Sequence, residues 1–356
     1  MRGIQDLRYN ILTVLYEGNY TKMNKKHFTL IMISVMAFVM LFSAVNVFAA
    51  KDKIIKVSSS TYVSVGWEKK LNASAGTALK YKSSDKSVVK VTRDGVIRGV
   101  KKGNAKITVT AAAKGKYRTA KKTVSVSVVD PAYNKNVLIE GDSIQAKAGQ
   151  HIYYACRQMQ AASVTLNAIG GASLGYNPDS RAGSNSVYYR ISNMTDEELR
   201  SFHMIFISAG TNDWNSKKAD IKCGDPDSKD PASICGALNL ILKRINKVAP
   251  KTKIVIETPV HRFKYIDPDT REVFPGTDCD QTRNRYDCTL QDFRDAMKSV
   301  AAKYKNTYVV NGENITTAEE MMSPDFTSDG LHPKHYYGKN ILSVRFTEEL
   351  NRVMGM

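Results

Sequence analysis

Five short apolar runs recur between residues 136 and 311: NVLIE, SVTLNAI, MIFISAG, KIVIET and TYVVN. Between the later ones lie stretches of helical periodicity, such as ICGALNLILKRINKV and LQDFRDAMKSVAAKY. Runs this short and this apolar form strands buried on both faces, and the amphipathic helices supply their cover. Such a pattern leaves a chain few choices. It predicts a parallel sheet between two helix layers, an α/β fold. In such sheets ligands bind in the crevice at the C-terminal ends of the strands, so the residues that follow each run carry the functional information.

The segment before residue 130 obeys a different period. VVKVT, AKITVTA and KTVSVSVV alternate apolar with polar residues and are separated by turn signals such as Arg93-Asp94-Gly95 and Lys102-Gly103-Asn104. This predicts an all-β module over 54–129, a short linker DPAYNKN at 130–136, and the α/β domain over 136–356. Charge follows the same division. The chain carries a net charge of +18, and residues 51–130 hold 19 Lys/Arg against 5 Asp/Glu, whereas 131–356 hold 28 against 27. The basic module lacks the aromatic platforms or recognition helix that nucleic-acid binding needs, so no nucleic-acid partner is expected. Outward lysines on strands serve solubility and edge protection in a solvated spacer. In an exported protein they also suit an anionic cell-wall polymer.

Export is the expectation from residues 23–49. Lys25 and Lys26 precede an apolar run from Phe28 to Val45, and Val47-Phe48-Ala49 offers a cleavage site. Residues 1–22 have no targeting logic and read as an over-extended start ahead of Met23. The protein is therefore expected to be secreted or wall-associated, with an uncleaved membrane anchor as the alternative. Outside the cell, disulfides are the default for cysteines. Of Cys156, Cys223, Cys235, Cys279 and Cys288, the simplest connectivity pairs Cys223 with Cys235 and Cys279 with Cys288, leaving Cys156 as a free thiol.

In residues 137–149, VLIEGDSIQAKAG, a short strand ends on Gly141-Asp142-Ser143 and a helix reads from Ala146 onward, so Ser143 stands at a strand-to-helix switch. A serine there is either a helix N-cap or a nucleophile. Three other stretches bear on the choice: Gly170-Gly171-Ala172-Ser173, Gly210-Thr211-Asn212-Asp213 and Ser328-Asp329-Gly330-Leu331-His332. Acyl transfer needs a nucleophile, a base to take its proton and a group to orient the base. Ser143, His332 and Asp329 supply these types. It also needs donors for the oxyanion, which the Ser143 and Gly171 N–H groups and the Asn212 amide can provide. The bland readings stand beside this one. Asn212 and Asp213 can cap a helix, and His335 is a rival base. Asp329-x-x-His332-x-x-His335 has metal-like spacing, but no further ligand is placed by the sequence, so neither metal nor cofactor is expected. His151, His203 and His261 receive no role.

The four stretches, GDS at 141–143, Gly171, GTND at 210–213 and DGLH at 329–332, resemble in chain order the SGNH (GDSL-type) hydrolase superfamily. That resemblance implies a flavodoxin-like three-layer α/β/α domain and a serine acyl-transfer site. Ile144 stands where the family has Leu, and the adjacent glycines leave Gly170 as an alternative to Gly171. LKYKSSDKSVVKVTRDGVIRGVKKGNAKITVTA resembles bacterial Ig-like domains of group 2, which implies an N-terminal β-sandwich. The long segments after the third and fourth runs are polar and dotted with Trp214, Tyr265 and Tyr286, unlike an apolar lipid tunnel. The expected function is a secreted esterase removing short acyl groups, foremost acetyl, from an extracellular carbohydrate. A lipid-directed esterase or lysophospholipase and a non-catalytic surface adhesion protein are the alternatives.

Overall fold

The computed structural model describes residues 53–178, 183–215, 220–267, 270 and 272–356, with Lys25, Lys26, Thr29, Met32, Ile33 and Met36. The export signal expected at 23–49 lies outside the described residues except for those six. Among the described residues no helix is long and apolar enough to cross a membrane. Ile54–Ala112 and Thr119–Met356 form one compact unit.

The unit begins with seven strands: β1 (Ser60–Ser64), β2 (Glu68–Lys70), β3 (Leu79–Ser83), β4 (Val89–Val91), β5 (Val96–Gly99), β6 (Gly103–Ala111) and β7 (Ala120–Val129). They form a sandwich of two sheets, ordered β1-β7-β6-β3 and β2-β5-β4. All pairings are antiparallel except β1 with β7. The period of two in the sequence is the cause. Ile107, Val109, Val124, Val126 and Val128 point inward and are buried, while the residues between them face out.

The α/β domain follows. Strands β8 (Asn136–Gly141), β9 (Ser163–Ala168), β10 (Met204–Ser208), β11 (Lys253–Glu257) and β14 (Thr307–Val310) make one sheet in the order β14-β11-β10-β8-β9. Every pairing is parallel. A short antiparallel hairpin, β12 (Lys264–Ile266) and β13 (Val273–Pro275), stands in the segment after β11. Its helices include α1 (Ser143–Ala146), α2 (His151–Gln158), α3 (Val187–Asn193), α4 (Asp196–Ser201), α5 (Thr211–Asn215), α6 (Ile234–Val248), α7 (Leu290–Ala301) and α8 (Ser343–Gly355), with shorter helical turns between them. Alternate residues of each strand serve opposite layers. Val137, Ile139, Phe206 and Val255 pack toward Ile152, Phe346 and Leu350 of α2 and α8. Leu138, Ile205, Ile207 and Ile254 pack toward Leu238, Leu242 and Phe293 of α6 and α7. Each such fully buried side chain contributes about 1.5–3 kcal/mol of apolar burial. This is the flavodoxin-like three-layer arrangement. The order of connection reverses between β8 and β10, which puts the end of β8 at the switch point.

The linker is not a free tether. Trp67 Nε1 donates to the carbonyl of Pro131 at 3.1 Å, and Lys135 Nζ sits 4.8 Å from the centre of the Trp67 ring. Arg98 Nη2 reaches the carbonyl of Met354 in α8 at 3.5 Å. The sandwich is thus docked on the α2–α8 side of the α/β domain rather than swinging from it.

Candidate active site

The chain leaves β8 at Gly141 and starts α1 at Ser143, earlier than the helix read from Ala146 onward. Asp142 is the N-cap: its carboxylate accepts the N–H of Ile144 at 2.9 Å. The capping role that competed for Ser143 is therefore filled by its neighbour. Helix α1 stops after one turn, and Gln150, at φ +50°, begins α2 in a new direction.

Freed of the cap, Ser143 Oγ lies 2.9 Å from His332 Nε2, and His332 Nδ1 lies 2.8 Å from Asp329 Oδ2. The nearer geometry of Asp329 and His332 follows from Gly330. It adopts φ +70°, and a Cβ there would stand 2.6 Å from the carbonyl oxygen of Phe263. The turn folds the backbone over the carboxylate, so that Asp329 Oδ1 accepts the N–H groups of Leu331 at 3.0 Å and His332 at 2.9 Å. Half-burial works against the ionised Asp329. Hydrogen bonds from His332 and Lys264 outweigh it and hold the carboxyl well below the usual carboxylate range. His335, the rival base, points elsewhere and bonds to the Tyr154 hydroxyl at 3.0 Å. Among the described residues no three His, Cys, Asp or Glu side chains are grouped to hold a metal ion.

The candidate oxyanion donors stand on neighbouring strand ends. Gly171 follows β9 and has φ +77°, a conformation that calls for glycine, and among the described residues neither its N–H nor that of Ser143 has a backbone acceptor. The Gly170 N–H likewise has no backbone acceptor among the described residues, so the choice between the two glycines rests on conformation. Asn212, in the first turn of α5, donates from Nδ2 to the carbonyl of Ala172 at 2.9 Å, which leaves its second amide hydrogen available. Asp213 is buried and clamps the same loop. Its carboxylate accepts the N–H of Leu174 at 2.8 Å and of Gly175 at 2.7 Å. Burial pushes the Asp213 carboxyl up to about 6 despite those bonds. The Gly171 block and the Asn212 block are thus one rigid piece.

Several supporting residues carry no motif. Arg262 is fully buried and donates from Nη1 to the Thr211 carbonyl at 2.9 Å and from Nη2 to Asn215 Oδ1 at 2.6 Å, holding both ends of α5. His151 Nε2 meets Glu257 Oε1 at 2.6 Å, and Ser208 Oγ donates to Glu257 Oε2 at 2.6 Å, in a buried polar network beside Gln145. His203 Nδ1 accepts from the N–H of Asn136 at 3.1 Å, and His261 pairs with Asp280, which Arg294 also holds. Only their hydrogen-bonding types were readable in the sequence; the partners are far off in the chain.

Cys156 is the buried free thiol expected of it, but the other four cysteines differ from expectation. All five are free thiols, and neither Cys223–Cys235 nor Cys279–Cys288 is paired. Cys235 is buried in the first turn of α6, and Cys279 faces the carbonyl of Thr277 at 3.4 Å. Cys223 instead turns toward the N-terminus of α7, 3.6 Å from the Asp292 carbonyl, where its thiol contacts Cys288. Burial pushes the Cys223 thiol up to about 12. The walls are tied together in other ways. Trp214 is buried, donating from Nε1 to the Cys288 carbonyl at 2.9 Å and meeting Tyr265 edge-on at 6.0 Å, and Tyr286 bonds to Asp220.

With this geometry in view, comparison with known proteins is decisive. The model of the GDSL-like Lipase/Acylhydrolase family matches residues 140–335, more than half of the chain. The chain belongs to the GDSL-like lipase/acylhydrolase family. It is an ester-acting hydrolase of that family, preceded by a bacterial Ig-like domain (group 2) matched over residues 44–124. One solved chain, 19% identical, superposes with a TM-score of 0.51 and covers 62% of this chain and 97% of its own. A protein from Lactobacillus plantarum is 16% identical with a TM-score of 0.46, covering 61% and 96%. A possible lipase from Chitinophaga pinensis is 17% identical with a TM-score of 0.43, covering 60% and 96%. No curated protein matches the chain. For this GDSL-like domain, the likeness to solved structures speaks to the fold alone.

Proposed function

We propose that this GDSL-like hydrolase is a secreted serine esterase that removes short acyl groups, foremost acetyl, from an extracellular carbohydrate. The observation that carries the reading is the unbroken chain Ser143 Oγ, His332, Asp329, at 2.9 and 2.8 Å, opening on the switch point of the sheet. His332 Nε2 takes the Ser143 proton as Oγ attacks the acyl carbonyl, and Asp329 holds the Nδ1–H and steadies the imidazolium. The oxyanion receives hydrogen bonds from the N–H groups of Ser143 and Gly171 and from the free Asn212 hydrogen. Collapse of the intermediate expels the sugar oxygen, which takes the proton from His332. Water then releases the acyl group by the same steps. The polar side chains of the segments that follow β10 and β11, among them Asp220, Asn284, Arg285 and Tyr286, support a carbohydrate over a long acyl chain.

The basic module supports a partner of its own. On β3, β6 and β7 the outward positions carry Lys80, Lys82, Lys106 and Lys121, with Thr108, Thr110, Thr123 and Ser125 between them and no carboxylate. Neighbouring strands lie about 4.8 Å apart, so this is a flat grid of ammonium and hydroxyl groups suited to an anionic cell-wall polymer. A panel of acetylated glycans scored for released acetate, beside p-nitrophenyl acetate and a long-chain ester, tests the enzyme reading. Faster turnover of the long-chain ester points to a lipid substrate, and no turnover by the folded protein points to adhesion.

A further inference from the structure

Asp329 is shared. Its Oδ2 accepts His332 Nδ1 at 2.8 Å and also Lys264 Nζ at 2.9 Å, while Oδ1 takes the two backbone N–H groups of its own turn. Lys264 arrives from β12, in the wall that follows β11, and nothing in the DGLH stretch points to it. We propose that Lys264 is a positioning residue of the acyl-transfer site: it locks the Asp329 carboxylate and sets the pH range in which His332 acts as base. The proposal rests on the acyl-transfer reading of Ser143, His332 and Asp329.

The hydrogen-bond count gives the first part. A carboxylate offers about four acceptor positions, and here four donors fill them, so rotation of Asp329 would break at least one. Without the ammonium, Oδ2 would keep a single partner and the imidazole a less defined one. Electrostatics gives the second part. Both nitrogens sit on the same oxygen, so the ammonium lies within about 6 Å of the imidazole, where one charge acts appreciably on another in a half-buried site. A cation there disfavours the imidazolium and keeps the imidazole available as a base at lower pH. The other charged groups facing this cluster are Asp142, from the turn after β8, which acts on His332, and Arg262, which acts on Asp329 and Asp142. Asp213 and Glu257 act on Asp142. None of these contacts the Lys264 ammonium.

The backbone of Lys264 is held independently of its side chain. Arg262 Nε donates to its carbonyl at 2.7 Å, and β12 is paired in register with β13. Substituting the side chain therefore leaves the strand in place. An ordinary surface ion pair, by contrast, would alter neither the rate nor its pH profile.

The test compares Lys264→Met, Lys264→Gln and Lys264→Arg in the full protein, by kcat/KM for p-nitrophenyl acetate across pH and by NMR titration of the His332 ring. Removing the charge in Met and Gln moves the acidic limb, and the ring titration, up by about half to one pH unit. kcat falls about three- to tenfold, KM stays within twofold, and Arg restores the wild-type limb. A Met or Gln profile superimposed on wild type, or an Arg profile shifted like theirs, overturns the proposal. If wild type hydrolyses no ester, the acyl-transfer reading fails. The ring titration then still decides whether Lys264 governs the imidazole: the shift supports that control, and its absence overturns it.

Discussion

Replacing Asn212 by alanine separates catalysis from stability. Its Nδ2 spends one hydrogen on the Ala172 carbonyl at 2.9 Å and has one left for an oxyanion. Losing an oxyanion donor costs about 10²–10³ in kcat, or roughly 2.7–4 kcal/mol of transition-state stabilisation. Losing the bond to Ala172 costs about 1 kcal/mol of stability, because the shortened side chain at the half-buried position vacates space through which water can enter and take its place at the buried carbonyl. In a domain of this size that lowers the melting temperature by about 2–4 °C. The expected outcome is a protein that melts almost normally and turns over p-nitrophenyl acetate hundreds of times more slowly, with KM nearly unchanged. Asn212→Asp, of the same shape but with no donor, should lose at least as much. An Asn212→Ala enzyme within fivefold of wild type in kcat would remove Asn212 from the oxyanion site.

Asp213→Asn should lower kcat more than it raises KM, because the new NH2 stands where Oδ2 now accepts the Leu174 N–H at 2.8 Å, a donor against a donor, and Oδ1 alone is left to hold the Leu174 and Gly175 N–H groups; steady-state kinetics with an intact melting transition checks this. Asp142 is pushed up to about 7 by burial, above its unfolded value of 3.8, so its contribution to stability is fully present below about pH 4 and is lost as the pH rises through 7. Asp142→Asn, which keeps an acceptor for the Ile144 cap, should flatten the unfolding free energy between pH 4 and 8, removing up to about 4 kcal/mol of that pH-dependent difference, as urea unfolding at each pH measures. Under oxidation, peptide mapping without reduction should find Cys223 joined to Cys288; a Cys279–Cys288 peptide would contradict the observed side-chain arrangement. Changing Lys80, Lys82, Lys106 and Lys121 together to Gln should abolish salt-sensitive binding to purified cell walls, and unchanged pull-down would reject the lysine face as the binding surface.

The flavodoxin-like layers were legible because period decides them. MIFIS is buried at every position, and ICGALNLILKRINKV became α6 over the whole of its apolar stripe. Ser143, Asp329 and His332, which the fold brings within hydrogen-bonding distance, stood out because each follows a strand or sits in a tight turn, where few residue types serve. What stayed hidden depends on contacts between distant segments. Lys264 and Arg262 carry no motif, and nothing local says that one meets Asp329 and the other α5. The cysteines misled for the same reason. Spacing along the chain favoured local loops, whereas the fold sets Cys223 beside the N-terminus of α7 and so beside Cys288.

The central claim is that Ser143 carries the acyl group from an acetylated glycan to water. Rapid quenching of wild type during turnover of p-nitrophenyl acetate, followed by intact-mass and peptide analysis, measures it directly. The account predicts an added acetyl group on the peptide containing Ser143, accumulating in a burst and absent from a folded Ser143→Ala variant that releases no acetate. Acetate release by Ser143→Ala at a wild-type rate, or an acetyl group trapped on another residue, would contradict it.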